Sequence, residues 1–249
     1  MIISPSRNFI FIHLEKCGGT SVESALDPFL RWDDLILGST EFGERLQALY
    51  NERYGRSNDV LWKHSTAQDI YNFLTPEGWN EFAKIAVVRN PIDIVMSLYH
   101  FSETAIKYHV GRINRGVWIE NLRTGNIPDV FPFTEGYVIE YIKSKIDDTG
   151  IDGFVRGVLD KDFNFVRPQF DRLQVNNRID IQLMIDLTQL DLRWQKILDV
   201  AGISNEVFLG NLNTSEKSEV TMSEKSVKEI KKHFAIDFQE LPRYTGVKW

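Results

Sequence analysis

The sequence predicts an α/β fold in which a central, mostly parallel sheet is flanked by helices in three layers. Short, continuously apolar runs, typical of strands that are covered on both faces, alternate along the chain with longer amphipathic segments. The 249 residues are 43% hydrophobic and 26% charged, a composition that suits one domain with a substantial core. We therefore expect residues 1–249 to form a single domain.

Three apolar runs are the predicted strands: Phe9 to Ile12, Lys84 to Val88 and Ile181 to Leu187. Helices are predicted at Val22 to Leu26, Glu41 to Arg53, Thr66 to Leu74, after Pro91, at Glu135 to Ile146, Asp191 to Val200 and Ser223 to Phe234. Ser65, Thr134 and Ser223 are the predicted helix caps, and Thr75-Pro76-Glu77 is a second helix start.

Composition excludes some classes of function. The net charge of -6 argues against a generally basic surface for nucleic acid, and no partner of that kind is expected. One cysteine allows no intrachain disulfide, which fits a reducing compartment. No run of about 18 apolar residues occurs, so no membrane span is predicted and a cytoplasmic location is expected. The histidines show no metal-ligand spacing and the chain has no Cys/His cluster, so no metal site is predicted.

The chain around residues 9–26 combines a strand, a glycine turn and a helix start. Glycines let the backbone approach a ligand closely, and Thr20 or Ser21 is a suitable cap for the helix. Backbone N–H groups at a helix N-terminus attract anions, and Lys16 adds a full positive charge. This segment therefore predicts a loop that binds phosphate or sulfate, although a plain Gly-Gly turn remains the structural alternative.

The run Lys16-Cys17-Gly18-Gly19-Thr20-Ser21 resembles the 5′-phosphosulfate loop of sulfotransferases that use PAPS (3′-phosphoadenosine 5′-phosphosulfate). In the carbohydrate-modifying branch of that family, which includes heparan and chondroitin sulfotransferases, the loop commonly has the sequence KTGGTS, so Cys17 is a departure. The chain resembles a soluble bacterial type of that branch, and this resemblance implies a P-loop-like fold. The nucleotide triphosphatase pattern, with lysine after the glycines, and the dinucleotide pattern G-x-G-x-x-G are both absent.

A second segment, VVRNPIDIVMSLYHF, resembles the 3′-phosphate motif of the same family. The resemblance implies that Arg89 and Ser97 bind the 3′-phosphate, which distinguishes PAPS from ATP. A guanidinium at the carboxyl end of a buried strand suits such a group. Many relatives carry an arginine near Ile94, and its loss removes one positive charge.

Further matches concern the base and the acceptor. His64 stands between the two cofactor motifs, where the carbohydrate branch carries its general base, and a neutral imidazole suits that role. Arg167-Pro168-Gln169 resembles a stretch whose arginine and glutamine line the acceptor side. Leu212 to Ser215 is similar to the loop near the nucleotide.

The resemblance thus implies a PAPS-dependent O-sulfotransferase with Lys16 and His64 as catalytic residues and adenosine 3′,5′-bisphosphate as a product. The expected partner is an acceptor alcohol, with glycans as the leading candidates. A P-loop kinase-like phosphotransferase acting on a small metabolite is the alternative, and a non-catalytic saccharide- or nucleotide-binding relative ranks third. Residues 107–157 match no motif, and their basic and aromatic part is either an anionic-sugar site or a solvated helix face.

Overall fold

The computed structural model describes residues 1–54, 61–110, 136–161, 163–204, 206–210 and 220–249. The chain divides into two compact units. The first comprises Met1–Asn90, Pro168–Asn213 and Ile236–Trp249, and the second comprises Pro91–Arg167 and Thr214–Ala235. The described residues contain no helix that is long and apolar enough to cross a membrane.

All strands of the described residues lie in the first unit. In chain order they are β1 (Ile2–Ser4), β2 (Phe9–Ile12), β3 (Leu35–Ile36), β4 (Ala83–Val88), β5 (Gln174–Val175), β6 (Arg178–Ile179) and β7 (Leu183–Asp186). Five of them form one sheet in the order β3-β1-β2-β4-β7, and β5 pairs with β6 in a separate hairpin. Strand β1 is antiparallel to both β2 and β3, whereas β4 is parallel to β2 and β7 is parallel to β4. All strands of the main sheet except β1 therefore run in the same direction.

The helices in chain order are α1 (Gly19–Leu26), α2 (Glu41–Tyr54), α3 (Ala67–Asn80), α4 (Pro91–Val110), α5 (Gly136–Ile146), α6 (Gly150–Leu159), α7 (Gln169–Arg172), α8 (Leu190–Val200), α9 (Glu224–His233) and α10 (Ala235–Thr245). In the first unit every residue of β2 is buried, and α8 packs against β4 and β7. This full burial explains why β2 is apolar at consecutive positions. In the second unit α4, α5, α6 and α9 pack against one another.

The predicted α/β class with a mostly parallel central sheet is confirmed, and the three predicted strands are present with small differences in their bounds. Strands β1 and β3 were not predicted, because they have only three and two residues. The break predicted at Thr75 is present as a kink within α3, where Thr75 has φ 67. Ser223 caps α9 as predicted, by accepting a hydrogen bond from the Ser226 amide.

Two predicted caps are wrong and a third lies outside the described residues. Thr66, rather than Ser65, caps α3 in a reciprocal capping box with Asp69. Helix α1 begins one residue before Thr20, so Gly18 occupies the cap position and Thr20 and Ser21 lie within the first turn. The structure does not describe Thr134.

The order of the strands creates a switch point between β2 and β4. From β2 the chain proceeds to β3, on one side of the sheet, and from β4 it eventually reaches β7, on the other side. Connections that leave two adjacent parallel strands in opposite directions open a crevice at their carboxyl ends, where open α/β sheets bind ligands. The segments that follow β2 and β4, which contain Lys16 and Arg89, begin at this edge.

Candidate functional site

The loop that joins β2 to α1 turns sharply through two residues with positive φ. Lys16 has φ 61 and Gly18 has φ 76. This conformation is costly for lysine but free of penalty for glycine. At the helix start, the amides of Ser21 and Val22 donate to the Gly18 carbonyl oxygen at 3.1 and 3.3 Å. The loop therefore has the predicted strand-turn-helix form.

The Gly-Gly pair has a packing role in this loop. A Cβ atom at Gly18 would lie 2.7 Å from Leu187 Cδ1, and one at Gly19 would lie 2.2 Å from Cδ2 of the His13 ring. Real Cβ atoms do not approach heavy atoms so closely, and the His13 ring is buried in the interior. Packing thus requires glycine at position 19, and the positive φ favours glycine at position 18, whether or not the loop binds an anion.

Cys17, the predicted loop residue that departs from the family pattern, faces the protein interior. It is 1% exposed, and its Sγ lies 3.4 Å from Gln169 Oε1 and 3.3 Å from the Glu15 carbonyl oxygen. Burial raises the pKa of the Cys17 thiol to about 12. Cys17 is therefore a neutral, buried donor, without the thiolate character that nucleophilic cysteines need.

Arg89 and Gln169 join the end of β4 to the loop. The Arg89 guanidinium donates from Nη1 to the Lys16 carbonyl oxygen at 3.0 Å. Gln169 accepts from the Arg89 amide at 2.9 Å and donates from Nε2 to the Arg89 carbonyl oxygen at 2.7 Å. Because Gln169 is 2% exposed and its side chain bridges backbone groups, it braces the end of β4. Its predicted contact with an acceptor stays a prediction.

Asp237 extends this network to the C-terminal helix. Its carboxylate accepts from the backbone amides of Gln169 at 2.9 Å and Phe170 at 2.8 Å, which are the first two amides of α7. Burial raises the pKa of Asp237 to about 6, although these hydrogen bonds oppose the rise. Asp237 thus caps α7 from a distant part of the sequence.

His64 lies in the turn before α3, next to the loop. Its Nδ1 donates to the His13 carbonyl oxygen at 3.0 Å, an arrangement that assigns the proton to Nδ1 and leaves the lone pair on Nε2. Its ring is edge-on to the His13 ring at 4.6 Å and to the Trp62 ring at 5.2 Å. Burial, followed by the charges of nearby groups such as Lys63, lowers the pKa of His64 well below 6.5. The imidazole is therefore neutral at pH 7.

His13 directly follows β2. Its Nδ1 lies 2.7 Å from Glu23 Oε1, and both side chains are almost fully buried. Burial lowers the pKa of His13 to about 4. Burial raises the pKa of Glu23, but His13 and the amino group of Met1 outweigh this effect and hold it at about 2. The pair fixes the His13 backbone, whose carbonyl group orients His64.

The predicted site residues of the first unit come together at one edge of the sheet. Contacts connect Lys16 with Arg89, and His64 with the start of the same loop. Ser97, which is half-buried on α4, and Arg167, which is exposed, belong to the second unit. The loop at 212–215 and residues 111–123 of the basic stretch 107–123 lie outside the described residues.

Sequence reasoning missed an ion pair beside these residues. Arg172 Nη1 pairs with Glu15 Oε2, and its Nη2 donates to the His64 carbonyl oxygen at 3.2 Å. Glu15 directly precedes the loop motif, but Arg172 lies 157 residues further along the chain. Only the fold brings the two together.

The arrangement offers a neutral imidazole with an available lone pair close to a cationic loop. Such a pair of features can deprotonate a hydroxyl group and bind an anion. Among the residues that the structure describes, no group of three or more His, Cys, Asp and Glu side chains is placed to hold a metal ion. No family model, no curated protein and no solved structure matches this chain.

Proposed function

We propose that this protein is a PAPS-dependent O-sulfotransferase with a P-loop-like fold, which transfers a sulfuryl group to an acceptor hydroxyl. The observation that carries the proposal is the convergence of three separate segments at the switch point of the sheet. They are the loop with Lys16, the end of β4 with Arg89 and the turn with His64. The resemblance of the first two segments to family motifs is what specifies PAPS as the donor.

The proposed reaction is an in-line transfer. The acceptor oxygen forms a bond to sulfur while the bond between sulfur and the bridging phosphate oxygen breaks, and adenosine 3′,5′-bisphosphate leaves. His64 Nε2 takes the proton of the acceptor hydroxyl. Its Nδ1–H bond to the His13 carbonyl holds the imidazole in the required tautomer.

Positive charge and backbone amides stabilise the leaving group. In this proposal the Lys16 ammonium group neutralises charge that grows on the bridging oxygen, and the backbone of residues 18–21 holds the 5′-phosphate. Arg89 serves the 3′-phosphate together with Ser97. Since Arg89 also donates to the Lys16 carbonyl, binding at either phosphate would order the same loop.

The acceptor is proposed to be a carbohydrate because the matching motifs belong to the glycan branch. Arg167 is the residue proposed to contact it, whereas Gln169 would act through the backbone of Arg89.

The kinase-like alternative would require a carboxylate for magnesium near the loop. Asp186, at the end of β7, accepts hydrogen bonds from Thr188 at 2.8 Å and from Trp249 at 2.6 Å. Both oxygen atoms of Asp186 therefore accept hydrogen bonds within the protein.

The test is incubation of the protein with PAPS labelled in the sulfuryl group and a panel of glycans and small alcohols. We expect label on a carbohydrate hydroxyl, release of adenosine 3′,5′-bisphosphate, and transfer that is slower by roughly 10²–10⁴-fold in His64→Ala. If no acceptor is labelled and ATP with magnesium stabilises the fold against heat better than the bisphosphate does, the kinase-like alternative replaces the proposal.

A further inference from the structure

A buried arginine connects the two segments that carry the proposed catalytic residues. Arg172, the last residue of α7, has a side chain that is only 5% exposed. Its Nη1 pairs with Glu15, the neighbour of Lys16 in the chain, and its Nη2 donates to the His64 carbonyl oxygen at 3.2 Å. One guanidinium therefore contacts both the loop and the turn.

The chemistry of arginine matters at this position. A guanidinium is planar and always charged, and its donors point in fixed directions, so two bonds from it fix the relative position of both acceptors. Lysine has a single ammonium group on a flexible stem and fixes geometry less well. The Glu15 side chain is 13% exposed. Removal of either partner would therefore leave an uncompensated charge in a buried site.

The Nε atom of Arg172 indicates that the orientation of the guanidinium group is constrained. Its Nε is buried and has no hydrogen-bond partner among the described residues. Such a group is costly to keep, and its presence indicates that the orientation of the guanidinium is determined by the contacts of the other two nitrogens.

We propose that Arg172, together with Glu15, is a positioning residue that sets the His64 imidazole against the loop carrying Lys16. This inference rests on the proposed sulfotransferase function. His64 is held at two points, through Nδ1 by the His13 carbonyl and through its own carbonyl by Arg172. Removal of Arg172 removes the hydrogen bond to the His64 carbonyl.

The first experiment is a double-mutant cycle on the full chain. We expect Arg172→Met to lower kcat on the order of 10²-fold, the cost of misplacing a catalytic group by about an ångström. The KM for PAPS should change much less. Arg172→Lys should recover part of the loss, and Arg178→Met, which removes an exposed arginine of β6, should match wild type. In a His64→Ala background, Arg172→Met should change kcat by less than about threefold.

A wild-type kcat in Arg172→Met would overturn the proposal. An equal loss of kcat on adding Arg172→Met to the wild type and to His64→Ala would also overturn it. If Arg172→Met does not fold, Arg172→Lys and Glu15→Gln take its place in the cycle. Both should then slow turnover only while His64 is present.

A second measurement does not depend on activity. The groups that face His64 are the His13 ring, the Trp62 ring, and the charges of Lys63 and Arg172. Loss of the Arg172 charge should raise the pKa of His64, as measured by nitrogen NMR of the imidazole, and Arg172→Lys should raise it less. An unchanged pKa and tautomer in Arg172→Met would refute the positioning role. If wild type transfers no sulfuryl group, the proposed function falls while this titration still decides the inference.

Discussion

At the scale of single residues, His64 has the geometry that a general base needs. The hydrogen bond from Nδ1 to the His13 carbonyl selects one tautomer, and the depressed pKa keeps the ring neutral. The same burial makes the imidazole a weaker base in water, so its usefulness depends on its position beside the acceptor.

We predict that His64→Ala lowers kcat by roughly 10²–10⁴-fold, the usual contribution of a general base. Because the pKa of His64 is below 6.5, the acidic limb of the wild-type profile of kcat/KM against pH should lie below pH 6.5. Binding of adenosine 3′,5′-bisphosphate should persist in the variant. Wild-type turnover in His64→Ala would show that another group takes the proton.

The packing of Gly19 against His13 gives a prediction about stability. In Gly19→Ala the new methyl group would lie 2.2 Å from Cδ2 of the His13 ring. The ring cannot easily move away, because its Nδ1 lies 2.7 Å from Glu23 Oε1. We expect a loss of about 1–3 kcal/mol in the free energy of unfolding, measured with urea.

Gly78 in α3 is the matched control for this substitution. A Cβ atom there would lie 3.5 Å from Leu74 Cβ, an ordinary contact. Gly78→Ala should raise stability by roughly 0.5–1 kcal/mol, because alanine loses less backbone entropy in a helix. Equal effects of the two substitutions would contradict the packing role of Gly19.

At the scale of elements, the long apolar strands were predictable and the short strands were not. Strand β2 is fully buried and β4 is buried from Lys84 to Val88, so their sequences carry a continuous signal. Strand β3 has two residues within a polar stretch and forms only because β1 pairs with it. The cap of α3 shifts from Ser65 to Thr66 because the Ser65 hydroxyl accepts from the Trp62 amide instead.

The cap of α7 by Asp237 predicts a particular dependence of stability on pH. The carboxyl has a pKa of about 6 in the fold against 3.8 as its ordinary value, so folding favours its protonated form. The stability that it contributes is complete below pH 3.8 and is lost as the pH rises through 6.

The unfolding free energy of wild type minus that of Asp237→Asn should therefore fall by about 1–3 kcal/mol between about pH 4 and pH 7. Urea unfolding at both pH values measures it. Asp191→Asn removes an exposed carboxylate from the first turn of α8 and serves as the control. A difference that grows with pH would show that the ionised carboxylate is the form preferred in the fold.

At the scale of the whole molecule, the sequence indicated which residues lie at the edge of the sheet, but not the contacts that hold this edge together. Lys16, His64 and Arg89 belong to segments with local signals. Arg172, which donates to the His64 carbonyl, and Asp237, which accepts from the Gln169 amide, lie far along the chain. The local sequence around them does not indicate these contacts. Ser97 and Arg167 lie in the second unit, so their place beside the loop remains a prediction.

The central claim is that this edge of the sheet binds a doubly phosphorylated adenosine, and calorimetric titration with adenosine 3′,5′-bisphosphate in EDTA tests it most directly. We predict one site, no need for a metal ion, and affinity at least about 10-fold lower in Lys16→Ala, the cost of one charge-assisted contact. Arg178→Ala should bind like wild type. Absence of binding, or equal affinity in Lys16→Ala, would contradict the claim.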